Sequence, residues 1–326
     1  MRAQMTGLLM AIRLTRRSLL SAIFFVSEAA FGRASGKRGL SAQRRRSFQA
    51  LKRVLHWGCQ YQKVDLAAIA GSDLDLIVID SSIDDISRRF VTRSECESLK
   101  KKSDGARRIV LAYLSVGEAD TKRWYWPERW RRSPPDWIGP ENPKWLGSRS
   151  VQYWNSQWHD LVYKGNSSIL DLILGAGFDG VFLDRVDGYG DWGGDAGAMD
   201  AMADLVANVA AKARARDPGF ILMMQNAEAL LLHVNLVAVI DAHNKESLLT
   251  GLSQANTRNR PEDVDWSLGY LRRLQEIGVP TFATEYASDR GLRKEVQSRL
   301  TELGFIPFFA TLGLDRLPGE DGGAGN

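Results

Sequence analysis

Short, uninterrupted apolar runs recur along the chain at residues 54–57, 76–80, 109–116, 180–184, 220–224, 236–240, 279–283 and 306–310, with helix-length stretches between them. Runs without polar alternation fit strands covered on both faces, as a parallel sheet requires. The stretches 167–174, 199–216, 265–277 and 292–303 carry helical amphipathicity, and the last two lead into Gly278 and Gly304, residues suited to a left-handed helix end. Eight strand–helix units predict an α/β fold of the (β/α)8 TIM-barrel type, occupying 53–318 as a single domain of about the usual 250 residues. No Gly-x-Gly-x-x-Gly follows the first run, which argues against an open dinucleotide-binding sheet.

The ends of the chain read differently. Arg13, Arg16 and Arg17 precede an apolar run too short to span a bilayer, so 1–34 reads as a signal peptide, and Arg16-Arg17 resembles a twin-arginine export signal. A periplasmic or secreted protein with no stable membrane span after cleavage is expected; an uncleaved anchor is the rival reading. Residues 35–52 read as a basic linker and 319–326 as a disordered tail.

Charge sharpens this division. The chain carries +4 overall, but its first 53 residues hold 12 of the 43 Lys and Arg and one acid, Glu28; the rest is 31 basic against 38 acidic, or −7. A folded domain of that sign is a poor phosphate binder, so nucleic acid is excluded as its partner. Two cysteines, Cys59 and Cys96, do not make a disulfide framework, and the four histidines show no metal-ligand spacing. No cofactor or metal is expected, and the oligomeric state stays open.

Polar residues gather just after the apolar runs: Asp80; Ser115, Glu118 and Asp120; Asp184 and Asp187; Asn226 and Glu228; Glu246; Glu285. In a barrel these positions converge on one face. One acid at a strand end is often only a helix cap, but so many together point to a site. Two carboxyl groups cleave a glycosidic bond, one protonating the departing oxygen and one attacking the anomeric carbon or activating water. The same crowd could instead hold Mg²⁺ or Ca²⁺. The segment 124–158, with seven tryptophans and five prolines, predicts a stiff loop over the barrel mouth. Its rings are either a sugar platform or the loop's own packing. These features favour a polysaccharide over a phosphate substrate.

The set Trp57-x-x-Gln60-Tyr61, Ala112-Tyr113-Leu114-Ser115-Val116-Gly117-Glu118-Ala119, Gly177 to Asp187, Gln225-Asn226-Ala227-Glu228 and Lys245-Glu246-Ser247-Leu248 resembles glycoside hydrolase family 114, the endo-α-1,4-polygalactosaminidases, which include the hydrolase part of bacterial Pel-polysaccharide machinery. The resemblance covers essentially the whole predicted barrel. It implies a polymer of galactosamine as substrate, whose free amines would be drawn to a negatively charged domain. It places the catalytic aspartate on Asp184 and the catalytic glutamate on Glu246, with Glu228 as the alternative partner. A retaining mechanism would make Asp184 the nucleophile and Glu246 the acid/base. Asp80, Tyr113, Ser115, Glu118, Trp124, Asp187, Tyr189, Asn226, Glu285 and Tyr286 would line sugar subsites. Three features depart from the pattern: Glu285 where aspartate is expected before Tyr286, Ala227 where glycine is common, and His243-Asn244 ahead of Glu246. These departures motivate a rival reading, a non-catalytic carbohydrate-binding barrel; a metal-dependent hydrolase using the same acids is the third.

Overall fold

A computed structural model describes residues 40–317. The expected signal peptide, its cleavage site and twin-arginine pair, the first part of the linker and the tail lie outside the described residues.

Eight parallel strands follow one another around the sheet in chain order. They are β1 (Trp57–Gln60), β2 (Leu76–Ile79), β3 (Ile109–Ser115), β4 (Gly180–Asp184), β5 (Ile221–Gln225), β6 (Ala242–Glu246), β7 (Thr281–Glu285) and β8 (Ile306–Phe309). At the seam between β8 and β1, the Trp57 indole N–H donates to the Ile306 carbonyl at 3.0 Å, and the Tyr61 N–H donates to the Leu314 carbonyl at 2.8 Å. The ring is a (β/α)8 barrel.

Because successive side chains on a strand point to opposite faces, each strand feeds two cores. Trp57, Cys59, Leu76, Val78, Ile109, Leu111, Phe182, Ile221, Met223, Ala242, Phe282 and Phe308 fill the lumen, and Trp57 meets Phe282 and Phe308 edge-on at 5.2 and 5.3 Å. The intervening residues, such as Ile77, Val110, Val181, Leu183, Leu222 and Met224, pack outward against the helices. Both faces are therefore apolar, which is why the strands read as continuous runs.

The flanking helices include α1 (Ala42–Leu51), α2 (Leu66–Gly71), α3 (Arg93–Leu99), α4 (Ile169–Ala176), α5 (Ala196–Arg216), α6 (Val234–Val239), α7 (Pro261–Glu276) and α8 (Arg290–Glu302). Capping side chains start several of them: Ser41, Asp65, Thr92, Ser168, Asp195 and Asp289 each accept a first-turn N–H. Cys59 and Cys96 are free and buried, on opposite sides of the sheet.

Two expectations are corrected. The run 236–240 is not the sixth strand. It lies mostly in α6, with Leu236 and Val237 buried, and the strand follows as Ala-His-Asn-Lys-Glu. That strand carries polar side chains on both faces, so hydrophobicity could not reveal it, while a six-residue apolar helix turn imitates a buried strand. The supposed linker is helical over Ala42–Leu51, and its Phe48 and Leu51 are buried. Leu51 and Val54 join the lumen cluster, so this helix and the chain after it close the bottom of the barrel.

One buried anion ties that helix down. The Asp241 carboxylate accepts from Arg44 Nε at 2.8 Å, Arg214 Nη2 at 2.6 Å and the Leu222 N–H at 2.9 Å. Asp241→Ala strands two guanidinium groups and is expected to lower stability by about 3–5 kcal/mol. Arg44→Ala should cost less, because Arg214 still neutralises the acid. Urea unfolding that ranks the two equally would contradict this arrangement.

Candidate active site

The alternation that fills the lumen with apolar side chains near the base turns to chemistry at its upper end. Tyr113 and Ser115 on β3, Asp184 on β4, Gln225 on β5, Asn244 and Glu246 on β6, and Thr284 on β7 all continue the inward-facing set. The register pairs Ser115 with Asp184 and Glu246 with Thr284.

Asp184 and Glu246 meet at one amide. Gln225 Nε2 donates to Asp184 Oδ1 at 3.0 Å and reaches Glu246 Oε2 at 3.4 Å. The Gln225 carbonyl is fixed in turn by Asn244 Nδ2 at 3.0 Å, which sets which end of the amide faces the acids. On the far side, the Tyr113 hydroxyl donates to Asp184 Oδ2 at 2.7 Å and the Tyr286 hydroxyl donates to Glu246 Oε1. Asn226 Nδ2 donates to Glu246 Oε2 at 3.3 Å. Burial pushes the Asp184 carboxyl above the usual aspartate range; the Tyr113 hydroxyl opposes that push and the neighbouring Glu246 adds to it.

Beyond this pair, arginines neutralise the acids of the mouth. Asp80 forms an ion pair with Arg123 at 2.5 Å, off the axis of an aligned hydrogen bond, and burial still raises its carboxyl above the usual range. Arg185, with a left-handed backbone (φ 57°), reaches Glu118 at 2.8 Å, Asp187 at 3.2 Å and Asp191 at 2.5 Å. Burial raises the Asp187 carboxyl despite that arginine. Glu118 also accepts from Asn142 Nδ2 at 2.8 Å and Ser148 Oγ at 2.5 Å, tying the long loop after β3 to the barrel. Ser115 Oγ donates to the Glu118 carbonyl at 3.0 Å and accepts from its N–H.

The structure does not bring Glu228 to the carboxylate pair. Its side chain turns outward, between β6 and α7, where Oε1 lies 3.2 Å from Lys245 Nζ and accepts from Ser267 Oγ at 2.6 Å. Burial opposes its charge, but Lys245 and Ser267 outweigh that and hold the carboxyl below the usual glutamate range. A group so paired is a poor proton donor. Glu285 likewise faces outward from β7, fully buried, and its oxygens accept from the Leu249 N–H at 2.7 Å, the Thr250 N–H at 3.0 Å and Thr250 Oγ1 at 2.5 Å. It clamps the loop after β6 and lines no subsite, so the longer side chain before Tyr286 does not intrude on the lumen.

A family model described as glycoside-hydrolase family GH114 matches residues 38–321. The chain belongs to this family. An uncharacterized protein of Deinococcus radiodurans is 32% identical over 272 residues, covering 82% of this chain and 84% of its own. Another, of Methanocaldococcus jannaschii, is 30% identical over 269 residues, covering 78% and 75%. Among solved structures, the glycoside hydrolase domain of PelA from Pseudomonas aeruginosa has a TM-score of 0.62 at 22% identity, covering 81% of this chain and 97% of that one. Ega3 of Aspergillus fumigatus, solved in complex with galactosamine, has a TM-score of 0.57 at 16% identity, covering 80% and 94%. These two likenesses carry the barrel fold.

Sequence reasoning missed several residues of this GH114 site: Gln225 between the acids, and Arg123 and Arg185 at the mouth. Gln225 was within reach, since counting in twos up β5 from Ile221 and Met223 puts it in the lumen. The arginines were not, because nothing local says which acids they will meet. The tryptophan-rich segment divides. Its strands Ile138–Glu141 and Ser148–Val151 form an antiparallel three-stranded sheet with the preceding Glu118–Asp120, and Trp126, Trp130, Trp137 and Trp158 form a contiguous chain of rings 5.3–5.8 Å apart, so these four pack the loop. Trp124 stands edge-on to Phe90 at 5.5 Å, while Trp145 and Trp154 are exposed. Tyr189 sits half-buried on the turn after β4.

Glu285→Gln puts an amide N–H where the loop after β6 already presents donors. It is expected to lower stability by about 1–3 kcal/mol, seen as a lower urea midpoint at unchanged slope; an unshifted midpoint would remove the clamp.

Proposed function

We propose that this chain is an exported, endo-acting and retaining hydrolase of α-1,4-linked galactosamine-containing polysaccharide, with Asp184 as nucleophile and Glu246 as acid/base. The observation that carries this reading is the pair of lumen carboxylates sharing the Gln225 amide. Their nearest oxygens lie at 3.0 and 3.4 Å from one nitrogen, spacing in keeping with the roughly 5 Å between carboxyl groups of retaining enzymes. The substrate reading draws on the resemblance of the motifs and on the galactosamine complex of Ega3. Export draws on the arginine-led apolar run near the start of the sequence.

In the first step a lone pair of Asp184 attacks the anomeric carbon while the bond to the departing sugar breaks, and Glu246 gives its proton to the leaving oxygen. In the second, Glu246, now a carboxylate, takes a proton from a water that attacks the same carbon and releases Asp184. Two inversions leave the anomeric configuration as it began. Tyr113 and Gln225 keep one Asp184 rotamer and favour its charged form. Tyr286 and Asn226 likewise hold one Glu246 rotamer. The product of the first step thus appears inside a set of donors already aimed at both acids.

Incubation with partly deacetylated galactosaminogalactan or Pel polymer should release oligosaccharides of several lengths. Asp184→Asn and Glu246→Gln should each lower kcat by about 10²–10⁴-fold or more. Polymer binding without cleavage by the native chain would support the carbohydrate-binding reading instead, and cleavage abolished by a chelator would support the metal-dependent one. Because the Asp184 carboxyl is raised by burial, its active, ionised form is lost as pH falls through a value above the ordinary aspartate range, so the acid limb of kcat/KM should lie above that range. Tyr113→Phe removes a bond that favours the charge and should move this limb to still higher pH. A limb that stays or moves down would contradict Asp184 as the nucleophile.

A further inference from the structure

Behind the lumen face of β6 lies a second set of polar side chains that the proposed mechanism does not use. Lys245, one residue before Glu246 and therefore on the opposite face, is buried, and its Nζ lies 3.2 Å from Glu228 Oε1 and 3.3 Å from Asn226 Oδ1. Asn226 Oδ1 also accepts from the Glu246 N–H at 3.0 Å. With its oxygen taken by two donors, the Asn226 amide has one orientation left, Nδ2 toward Glu246 Oε2. His243 Nε2 lies 2.9 Å from the Asn226 carbonyl, and burial, against the pull of Glu228, drops its imidazole to about 4, so it is neutral and donates there. Asn226, Ala227 and Ser247 hold left-handed backbone at φ 53°, 57° and 53°, which marks a segment kept in place by its surroundings.

Stability alone gives little reason for this ion pair, since apolar residues of similar volume usually serve a core as well or better. Resting on the assignment of Glu246 as acid/base, we propose that Lys245 and Glu228 are positioning residues for it, acting through Asn226: the pair locks the amide's orientation and turns its positive end toward the acid. Titratable groups face this relay from several elements: Asp184 on β4, Cys59 on β1 and Tyr286 after β7 around Glu246, His243 on β6, Tyr189 after β4 and Tyr270 on α7 around Glu228, and Glu285 on β7 near Lys245. None of them separates the Lys245 cation from the Glu228 anion. The two members of the pair therefore place opposite charges behind Asn226. Removal of Glu228 alone leaves a positive charge behind Asn226, and removal of Lys245 alone a negative one.

The test is the pH profile of kcat/KM on one polymer of fixed acetylation, so that substrate amines titrate identically throughout. Glu228→Gln leaves an uncompensated cation and should move the alkaline limb to lower pH. Lys245→Met leaves an uncompensated anion and should move it to higher pH. Lys245→Met/Glu228→Gln, which strands no charge and keeps the protein testable if Lys245→Met does not fold, should lower kcat about 10–100-fold with KM within about threefold, because the amide oxygen keeps only one of its two donors, the Glu246 N–H, and is held less firmly. Limbs that stay in place or move in the same direction, or a double variant with native kcat, would overturn the relay. Glu246→Gln separates the two claims. If it retains the alkaline limb, the acid/base assignment is wrong; if it abolishes turnover while the relay variants leave the profile alone, the relay is wrong.

Discussion

Strand alternation is the constraint on which the rest of this structure depends. A barrel strand sends every second side chain into the lumen, so the same period that stacks Trp57, Phe182 and Phe282 at the base delivers Tyr113, Asp184, Gln225 and Glu246 to the top. A shift of one residue in β6 would exchange Glu246 for Lys245 and put a cation beside Asp184. It would also send Glu246 into the outer layer beside Glu228. The apolar floor and the register are thus as much a part of the candidate site as the acids are.

Electrostatics then divides the acids that share the mouth. Carboxylates crowded into a low-dielectric space repel and protonate unless something compensates them. Arg123 answers Asp80, Arg185 answers Glu118, Asp187 and Asp191, and Lys245 answers Glu228. Asp184 and Glu246 are held by neutral donors: a glutamine, an asparagine and two tyrosines. Neutral donors orient a carboxylate and leave it able to exchange charge during a reaction, whereas a close cation fixes it as a permanent anion. This difference separates the two acids proposed to react from a larger set that builds the walls.

Burial of so much polar chemistry requires that every outward-facing group also find a partner. Glu285 does so through the loop after β6, Glu228 through Lys245 and Ser267, and Asp241 through two arginines and a backbone N–H. These outer networks tie the loop after β6, helix α7 and helix α1 to the barrel wall, so the loops that shape the mouth and the helix that closes the base are anchored by the same device.

Much of this was legible in the sequence. Repeated apolar runs show the barrel, because parallel strands are covered on both faces, and the run Gly180 to Asp184 reads correctly to the residue. The motifs show the family. Strand six was hidden, because its outward face carries His243 and Lys245 and its inward face Asn244 and Glu246, leaving no apolar signature. That Glu228 lies apart from Asp184 and Glu246 was hidden too. Both glutamates follow apolar runs, and what separates them is which side of a sheet each points to and whether an ammonium group from another strand is waiting there. The sequence by itself determined the barrel class, the family and the supply of acids, since those reside in local pattern. The tertiary structure alone decided which acids are paired with cations and which are held by neutral donors, because pairing among Gln225, Lys245, Arg123 and Arg185 joins residues from different strands and loops that only the closed barrel brings together.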